Sequence, residues 1–181
     1  MDISEEITFE LPDSWSWCRL SSIALMRIGK TPARGDSRFW ASPQYNWVSI
    51  SDMSDYGHIT GTKEQVSEVA AKESFHGQLS QPGDLLMSFK LTVGRTSILD
   101  IPAFHNEAIV TIRPILDSSM LLRDWLFTIL PVVANMGDSK DAIKGKTLNS
   151  QSLAALLVPV APLGETKRIL VKYNDVSKHL Q

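Results

Sequence analysis

Apolar and polar residues follow each other along the chain in patterns that predict both strands and helices. In residues 47–51 they alternate, which is typical of a half-buried strand. Residues 85–89 form a short apolar run after a Pro-Gly-Asp turn, and residues 156–160 form another in which Pro159 favours an edge or an end. Two more strands are predicted at residues 94–99 and 108–115.

Helical spacing of apolar residues predicts a buried helix at residues 119–130. Shorter helices are predicted at residues 20–26 and 66–72. Together these elements predict an α+β fold, with a mixed, partly curled sheet, a few helices and a protruding, coiled-coil-like helix at the C-terminal end. We expect one domain at residues 1–162 and the start of a separate helix at residues 163–181.

The last of these helices carries apolar residues at coiled-coil spacing. Ile169, Tyr173, Val176 and Leu180 are separated by four, three and four residues, which indicates a seam for a second helix. A seam of less than two heptads is marginal by itself. It therefore needs a partner helix from another protein or from a second copy, or it packs on its own domain; both interpretations stay open.

Composition and charge limit the classes of function. The 181 residues carry a formal net charge of -2, so any nucleic-acid surface must come from local clusters of Lys and Arg. Cys18 is the single cysteine, which excludes an internal disulfide and a cysteine zinc site and suits a cytoplasmic setting. The N-terminal residues lack an apolar run, and the apolar stretch at 126–134 is interrupted by Pro131. We therefore expect neither secretion nor membrane insertion.

Common catalytic and cofactor motifs are not found in the sequence. Gly-Lys-Thr occurs at residues 29–31 and 145–147, but neither copy has the upstream glycine of a phosphate-binding loop. The four histidines have no metal-ligand spacing. The sequence also lacks the Gly-x-Ser-x-Gly elbow and the signature of an adenine methyltransferase. No cofactor and no catalytic residue is therefore predicted.

Six short motifs occur in one order over nearly the whole chain. They are LPDSWSW at 11–17, GKTP at 29–32, WVSISDM at 47–53, PGDLLMSFKLTVGRTSI at 82–98, FHNEAIVTIRP at 104–114 and VPVAPLGETKRI at 158–169. This order resembles one target-recognition half of the specificity subunit of Type I restriction–modification systems. The chain departs from the usual family pattern at residues 164–166, where Gly-Glu-Thr replaces a Glu-Gln pair.

The resemblance implies a non-catalytic, sequence-specific DNA-binding protein. Residues 1–162 would be a target-recognition domain, and residues 163–181 would begin a spacer or dimerisation helix. The implied partners are double-stranded DNA, a methyltransferase subunit and, through the complex, a restriction subunit. The chain has about half the length expected of such a subunit, so it is either a half-subunit that pairs through its last helix or a fragment.

Three loops combine basic and small polar residues, as a DNA contact requires. The first spans residues 30–38 directly after Arg27, the second spans residues 90–96, and the third spans residues 140–146. Trp40 is expected to be exposed and to stack against DNA, whereas the other four tryptophans are expected in the core. The candidate DNA-contacting residues are Lys30, Thr31, Arg34, Arg38, Trp40, Lys90, Arg95, Lys140, Lys144 and Lys146.

Two other functions remain possible from the sequence. Asp138 and Lys140 form a carboxylate-x-lysine element of the kind found in metal-dependent nucleases. The terminal seam alone is compatible with a protein-interaction module that does not touch DNA. Cutting of DNA by the isolated chain favours the nuclease, and a lack of salt-sensitive DNA binding favours the interaction module.

Overall fold

The computed structural model describes residues 3, 6–7, 9–136 and 148–179. This part of the chain has an α+β fold, as expected, but its strands form three open sheets instead of one curled sheet. The strands are β1 (Ser16–Arg19), β2 (Ala24–Ile28), β3 (Tyr45–Val48), β4 (Gly57–Ile59), β5 (Glu64–Val66), β6 (Leu85–Ser88), β7 (Thr96–Leu99), β8 (Ala103–His105), β9 (Ile109–Pro114) and β10 (Leu157–Val160). The helices are α1 (Leu20–Ile23), α2 (Glu68–Glu73), α3 (Leu121–Val133), α4 (Ser150–Ala155) and α5 (Leu163–Ser177).

A five-stranded sheet in the order β2-β9-β6-β7-β4 forms the centre of the fold. Its inner strands are apolar on both faces because both faces are covered. Leu85 and Met87 pack with α3 residues such as Leu126 in one apolar cluster. Leu86 lies on the opposite face and packs with Leu99 in a second cluster. This double coverage explains why residues 85–89 read as a continuous apolar run.

The second sheet has the order β5-β3-β8 and supports the first predicted loop. Trp47 on β3 packs with Phe104 on β8 and with α2. The rings of Phe75 and Phe104 are stacked with their centroids 4.2 Å apart. Helix α2 begins at Glu68 instead of residue 66, because the Ser67 side chain accepts the Ala70 N–H and caps the helix.

The third sheet contains only β1 and β10. Pro159 pairs opposite Trp17 in this two-stranded sheet, where each strand is an edge, so the predicted edge position is confirmed. Helix α3 continues past Pro131 to Val133, although the proline removes the hydrogen bond to the Phe127 carbonyl. The Thr96 hydroxyl donates to that carbonyl at 2.9 Å and replaces the missing bond.

Helix α5 packs its first half on the domain. Leu170 is buried, and the ring of Tyr173 contacts the ring of Tyr56 at 6.3 Å. Of the predicted seam, Ile169 and Tyr173 are half-buried against their own domain, whereas Val176 is 49% exposed. Leu180 lies outside the described residues. The first two residues of the seam are therefore half-buried, and the exposed apolar residues of α5 include Val171 and Val176.

The predicted helix at residues 20–26 is wrong in its second half. The chain is helical only through Ile23, and β2 then pairs antiparallel with β9 from Ala24 to Ile28. The pairing with a distant strand outweighs the weak local preference for a helix. As a result, Arg27 lies on an edge strand of the central sheet. None of the described helices has the length and apolar character needed to span a membrane.

Candidate nucleic-acid interface

The start of the first predicted loop is anchored on β8 and β9 by its backbone. The Gly29 N–H donates to the Ile109 carbonyl at 3.1 Å, and the Lys30 N–H donates to the His105 carbonyl at 2.9 Å. A Cβ at Gly29 would lie 2.0 Å from the His105 oxygen, so this position requires glycine. The glycine of this Gly-Lys-Thr segment is therefore explained by close packing of two backbones and not by phosphate binding.

The first loop and part of the second loop meet around Glu107. The Thr31 hydroxyl donates to the Glu107 carboxylate. Burial raises the pKa of Glu107, but the hydrogen bond from Thr31 and the nearby charges of Lys90 and Arg34 outweigh it, so that the pKa is lowered. The structure thus brings three of the candidate residues to one carboxylate, namely Thr31, Arg34 and Lys90, and Lys30 directly precedes Thr31 in the chain.

Arg34 is held by two aromatic rings and one carboxylate. Its guanidinium carbon lies 4.1 Å from the ring centroid of Trp40 and 4.8 Å from that of Trp47. It also forms two hydrogen bonds with the Glu64 carboxylate, at 2.5 and 3.0 Å. The Arg34 side chain nevertheless remains 52% exposed, so a phosphate can reach it.

Arg38 is paired in a similar way. It forms an ion pair of 2.7 Å with Asp36 and a weaker one of 3.8 Å with Glu73, and its side chain is 61% exposed. Exposed ion pairs of this kind contribute little to stability because water screens the two charges. The pairs of Arg34 and Arg38 therefore impose only a small cost on exchange with a DNA phosphate.

Arg95 does not join the cluster around Glu107. It forms an ion pair of 2.9 Å with Asp55 and a hydrogen bond to the Met53 carbonyl, and only 25% of its side chain is exposed. It lines a separate pocket with Tyr56 and Pro131. These contacts give Arg95 a structural role in joining the 53–56 segment to the start of β7.

Trp40 is half-buried and not exposed as the sequence led us to expect. Its indole N–H donates to the Ala33 carbonyl at 3.1 Å, and its ring packs edge-to-face on Trp47. Among the other tryptophans, Trp47 and Trp125 are buried in the core, and the remaining two are half-buried. The third loop, with Lys140, Lys144, Lys146 and the alternative nuclease element of Asp138 and Lys140, lies outside the described residues.

Two further cations lie next to the first loop and were not among the candidates. Arg27 on β2 and Arg113 on β9 are brought together because Arg27 pairs with Thr111 and Leu25 pairs with Arg113. The alternation of β9, which puts residues 111 and 113 on one face, was the only sequence signal for this pair. Among the described residues, no group of His, Cys, Asp and Glu side chains has the geometry of a metal site.

Comparison with known proteins supports the resemblance seen in the motifs. No protein-family model matches the chain. Over 92 residues, 50% of the chain, it is 28% identical to the Type I restriction enzyme EcoprrI specificity subunit of Escherichia coli, and the match covers 22% of that protein.

The fold also matches solved structures. A chain from a type I restriction–modification system matches 95% of this chain with a TM-score of 0.69 and 20% identity, and 40% of its own length is covered. The HsdS subunit of Thermoanaerobacter tengcongensis matches 95% of this chain with a TM-score of 0.66 and 18% identity, and 39% of its own length is covered. The chain thus spans about two fifths of these solved chains.

The fold is therefore shared with components of type I restriction–modification systems. Together with the sequence match, it confirms the expectation from the six motifs: the chain resembles a domain of a Type I specificity subunit.

Proposed function

We propose that this chain recognises a short sequence in double-stranded DNA, as a target-recognition domain of a Type I restriction–modification complex. Residues 1–162 are the recognition domain, and residues 163–181 begin the helix that joins it to the rest of the assembly. The observation that carries this proposal is the fold match over 95% of the chain to type I restriction–modification chains. The local sequence match to a specificity subunit supports it independently.

The surface around Glu107 has the chemistry that a duplex requires. Lys30 is exposed, and neither Lys30 nor Lys90 has a carboxylate within 4 Å among the described residues. Arg34 and Arg38 are in exposed pairs that a phosphate can replace at small cost. We assign the backbone contacts to Lys30, Thr31, Lys90, Arg34 and Arg38, because phosphate contacts position a protein on the duplex.

The role of the domain in the complex is non-catalytic. It holds a methyltransferase subunit, and through it a restriction subunit, at the chosen sequence in the cytoplasm. Base reading comes from side chains that reach the major groove, with Arg favoured for guanine.

The exposed part of α5 is the proposed contact to another helix. Val171 and Val176 are 55% and 49% exposed on this helix. If the partner is a second copy, the two-fold symmetry of the protein is mirrored in a palindromic target split by a fixed gap. A target without such symmetry argues against pairing of two copies.

Binding of the full chain to a duplex as a function of salt tests the proposal. The four cations around the first two loops, each neutralising one phosphate, contribute about -3.6 to the slope of log Kobs against log salt. Incubation of the same samples with magnesium tests the alternative function as a nuclease. DNA cutting by the wild type that is lost in Lys140→Ala would favour the nuclease. A lack of salt-sensitive binding would favour a protein-interaction module and contradict the proposal.

A further inference from the structure

A cleft lined by cations runs along edge strand β2, between this strand and residues 74–78 after α2. Two adjoining pockets form it, and both are lined by Arg27 and Gln78. Among the described residues that line the two pockets, none is acidic. The other polar residues of the lining include Lys30, His76, Thr111 and Arg113.

Arg27 differs from the loop arginines because none of the described residues provides a counter-ion of its own. Its guanidinium donates to the Ser80 hydroxyl at 2.5 Å, and no carboxylate of the described residues lies within 4 Å of it. The Asp84 carboxylate instead pairs with the neighbouring Arg113, whose guanidinium donates two hydrogen bonds to it, of 2.6 and 2.5 Å. Burial and the charge of Arg113 lower the pKa of Arg27, and Asp84 opposes this shift only partly.

A chain of buried hydrogen bonds fixes the Arg27 side chain. The Ser80 hydroxyl lies 2.8 Å from the Thr111 hydroxyl, which lies 2.6 Å from Nε2 of His105. Burial lowers the pKa of His105 to about 4, so this ring is neutral at pH 7 and supplies no further charge. The fold therefore holds a half-buried cation in a defined position at a cost in stability, with its remaining donors next to an open cleft.

We infer that this cleft binds an oxyanion, and that the oxyanion is a backbone phosphate of the DNA duplex. The inference rests on the proposed function and adds a site to it. A planar guanidinium is suited to hold phosphate through two parallel hydrogen bonds. A phosphate in the cleft supplies the counter-charge that the described residues do not give Arg27, and the Gln78 amide and Lys30 provide further donors.

The spacing of the cations along β2 suits a run of phosphates. Arg113 lies beside Leu25 in the register, Arg27 is two residues further along the strand, and Lys30 follows three residues later. At about 3.3 Å per residue, Arg27 lies about 7 Å along the strand from the position beside Arg113, and Lys30 follows beyond the end of β2. Successive phosphates of one DNA strand advance about 3.4 Å along the axis, so the row can contact more than one of them. Lys30 connects this row to the cluster around Glu107.

The first test compares Arg27→Gln with Lys167→Gln, which removes one exposed cation from α5. Binding to a mixed-sequence duplex of about 30 base pairs is measured between about 50 and 200 mM NaCl. We expect Arg27→Gln to reduce the magnitude of the salt slope by about 0.9 and Lys167→Gln to leave it unchanged. We also expect Arg27→Gln to melt at the wild-type temperature or above it, because the variant loses an unpaired cation next to Arg113.

A second variant keeps the test valid if Arg27→Gln folds poorly. Gln78→Glu places a carboxylate on an exposed loop of the cleft, where it neutralises Arg27 and repels phosphate. We expect weaker duplex binding together with equal or higher thermal stability. Gln151→Glu, an exposed position on α4, is the matched control and is expected to leave binding unchanged.

The outcomes separate this inference from the proposed function. Wild-type binding without any salt dependence contradicts the proposed function itself. If the wild type binds with normal salt dependence and neither Arg27→Gln nor Gln78→Glu changes that binding, only the cleft assignment is overturned. The same conclusion follows if both variants lose stability but keep their affinity for the duplex. A final measurement uses inorganic phosphate as the ligand. If phosphate raises the melting temperature of the wild type but not of Gln78→Glu, and the two proteins bind the duplex equally well, then the cleft binds a free anion and the DNA assignment is wrong.

Discussion

The ion pair between Arg34 and Glu64 gives a direct way to test whether the first loop contacts DNA. In the free protein Glu64 occupies the guanidinium edge that a phosphate would use, through two hydrogen bonds. Replacing it by Gln removes the competing carboxylate. The contacts of Arg34 with Trp40 and Trp47 remain and keep the side chain near its position.

The size of the effect follows from the exposure of the pair. Arg34 is 52% and Glu64 is 42% exposed, so the pair contributes about 0.2 to 1 kcal/mol. The wild type loses the energy of this ion pair when Arg34 binds a phosphate, whereas Glu64→Gln has no such pair to lose. We therefore expect Glu64→Gln to bind duplex DNA about 1.4- to 5-fold more tightly. Its free energy of unfolding should fall by no more than about 1 kcal/mol.

Fluorescence anisotropy with a labelled duplex at fixed salt measures this change. Glu165→Gln is the matched control, because it removes the same formal charge from α5, where no ion pair of the described residues involves it. The reasoning is refuted if Glu64→Gln binds no more tightly than Glu165→Gln, since Arg34 then does not exchange its carboxylate for a phosphate.

Three further predictions concern the scaffold that positions the site. Gly29→Ala puts a Cβ 2.0 Å from the His105 oxygen, so we expect a loss of about 1 to 3 kcal/mol and weaker DNA binding; an unchanged melting curve would contradict the packing argument. Leu126→Ala removes a fully buried side chain between α3 and the central sheet, so the free energy of unfolding measured in urea should fall by about 2 to 5 kcal/mol. A fall of less than about 1 kcal/mol would mean that the site is loosely packed. Burial lowers the pKa of His105 from 6.5 to about 4, so the unfolded chain takes up the proton at a higher pH than the folded chain does. The contribution of the neutral ring to the free energy of unfolding should be fully present above pH 6.5 and fall by up to about 3 kcal/mol as the pH drops towards 4. His105→Gln should lack this decrease.

Elements with strong local patterns were predictable from the sequence. Strands β6 and β9 and helix α3 bury long apolar runs, and their predicted bounds lie within three residues of the observed ones. Strands β1, β4, β5 and β8 were missed because each has only three or four residues and is defined by its partner strand. Helix α4 was missed for a similar reason, since its six residues depend on a cap by Asn149.

The candidate interface was predictable only in part. The basic loops were predictable because Lys and Arg cluster locally, and the structure brings Arg34 and Lys90 together near the Glu107 carboxylate. The carboxylates that pair with the arginines lie far away in the sequence, so pairing with Glu64 or Asp55 left no local signal. The separation of Arg95 from the first loop likewise depends on its partner and not on its neighbours. The cleft next to Arg27 arises from the register of two strands, and the first part of one of them, residues 24–26, was predicted as a helix.

The central claim is that the chain recognises a particular DNA sequence, and selection from a pool of randomised duplexes tests it most directly. The full chain is incubated with the pool, bound duplexes are recovered and amplified over several rounds, and the recovered sequences are read. We expect the pool to converge on one short motif, and we expect Arg34→Gln to bind that motif more weakly while selecting the same sequence. A bound pool that keeps the composition of the starting pool through all rounds, although the chain binds DNA, would contradict sequence recognition.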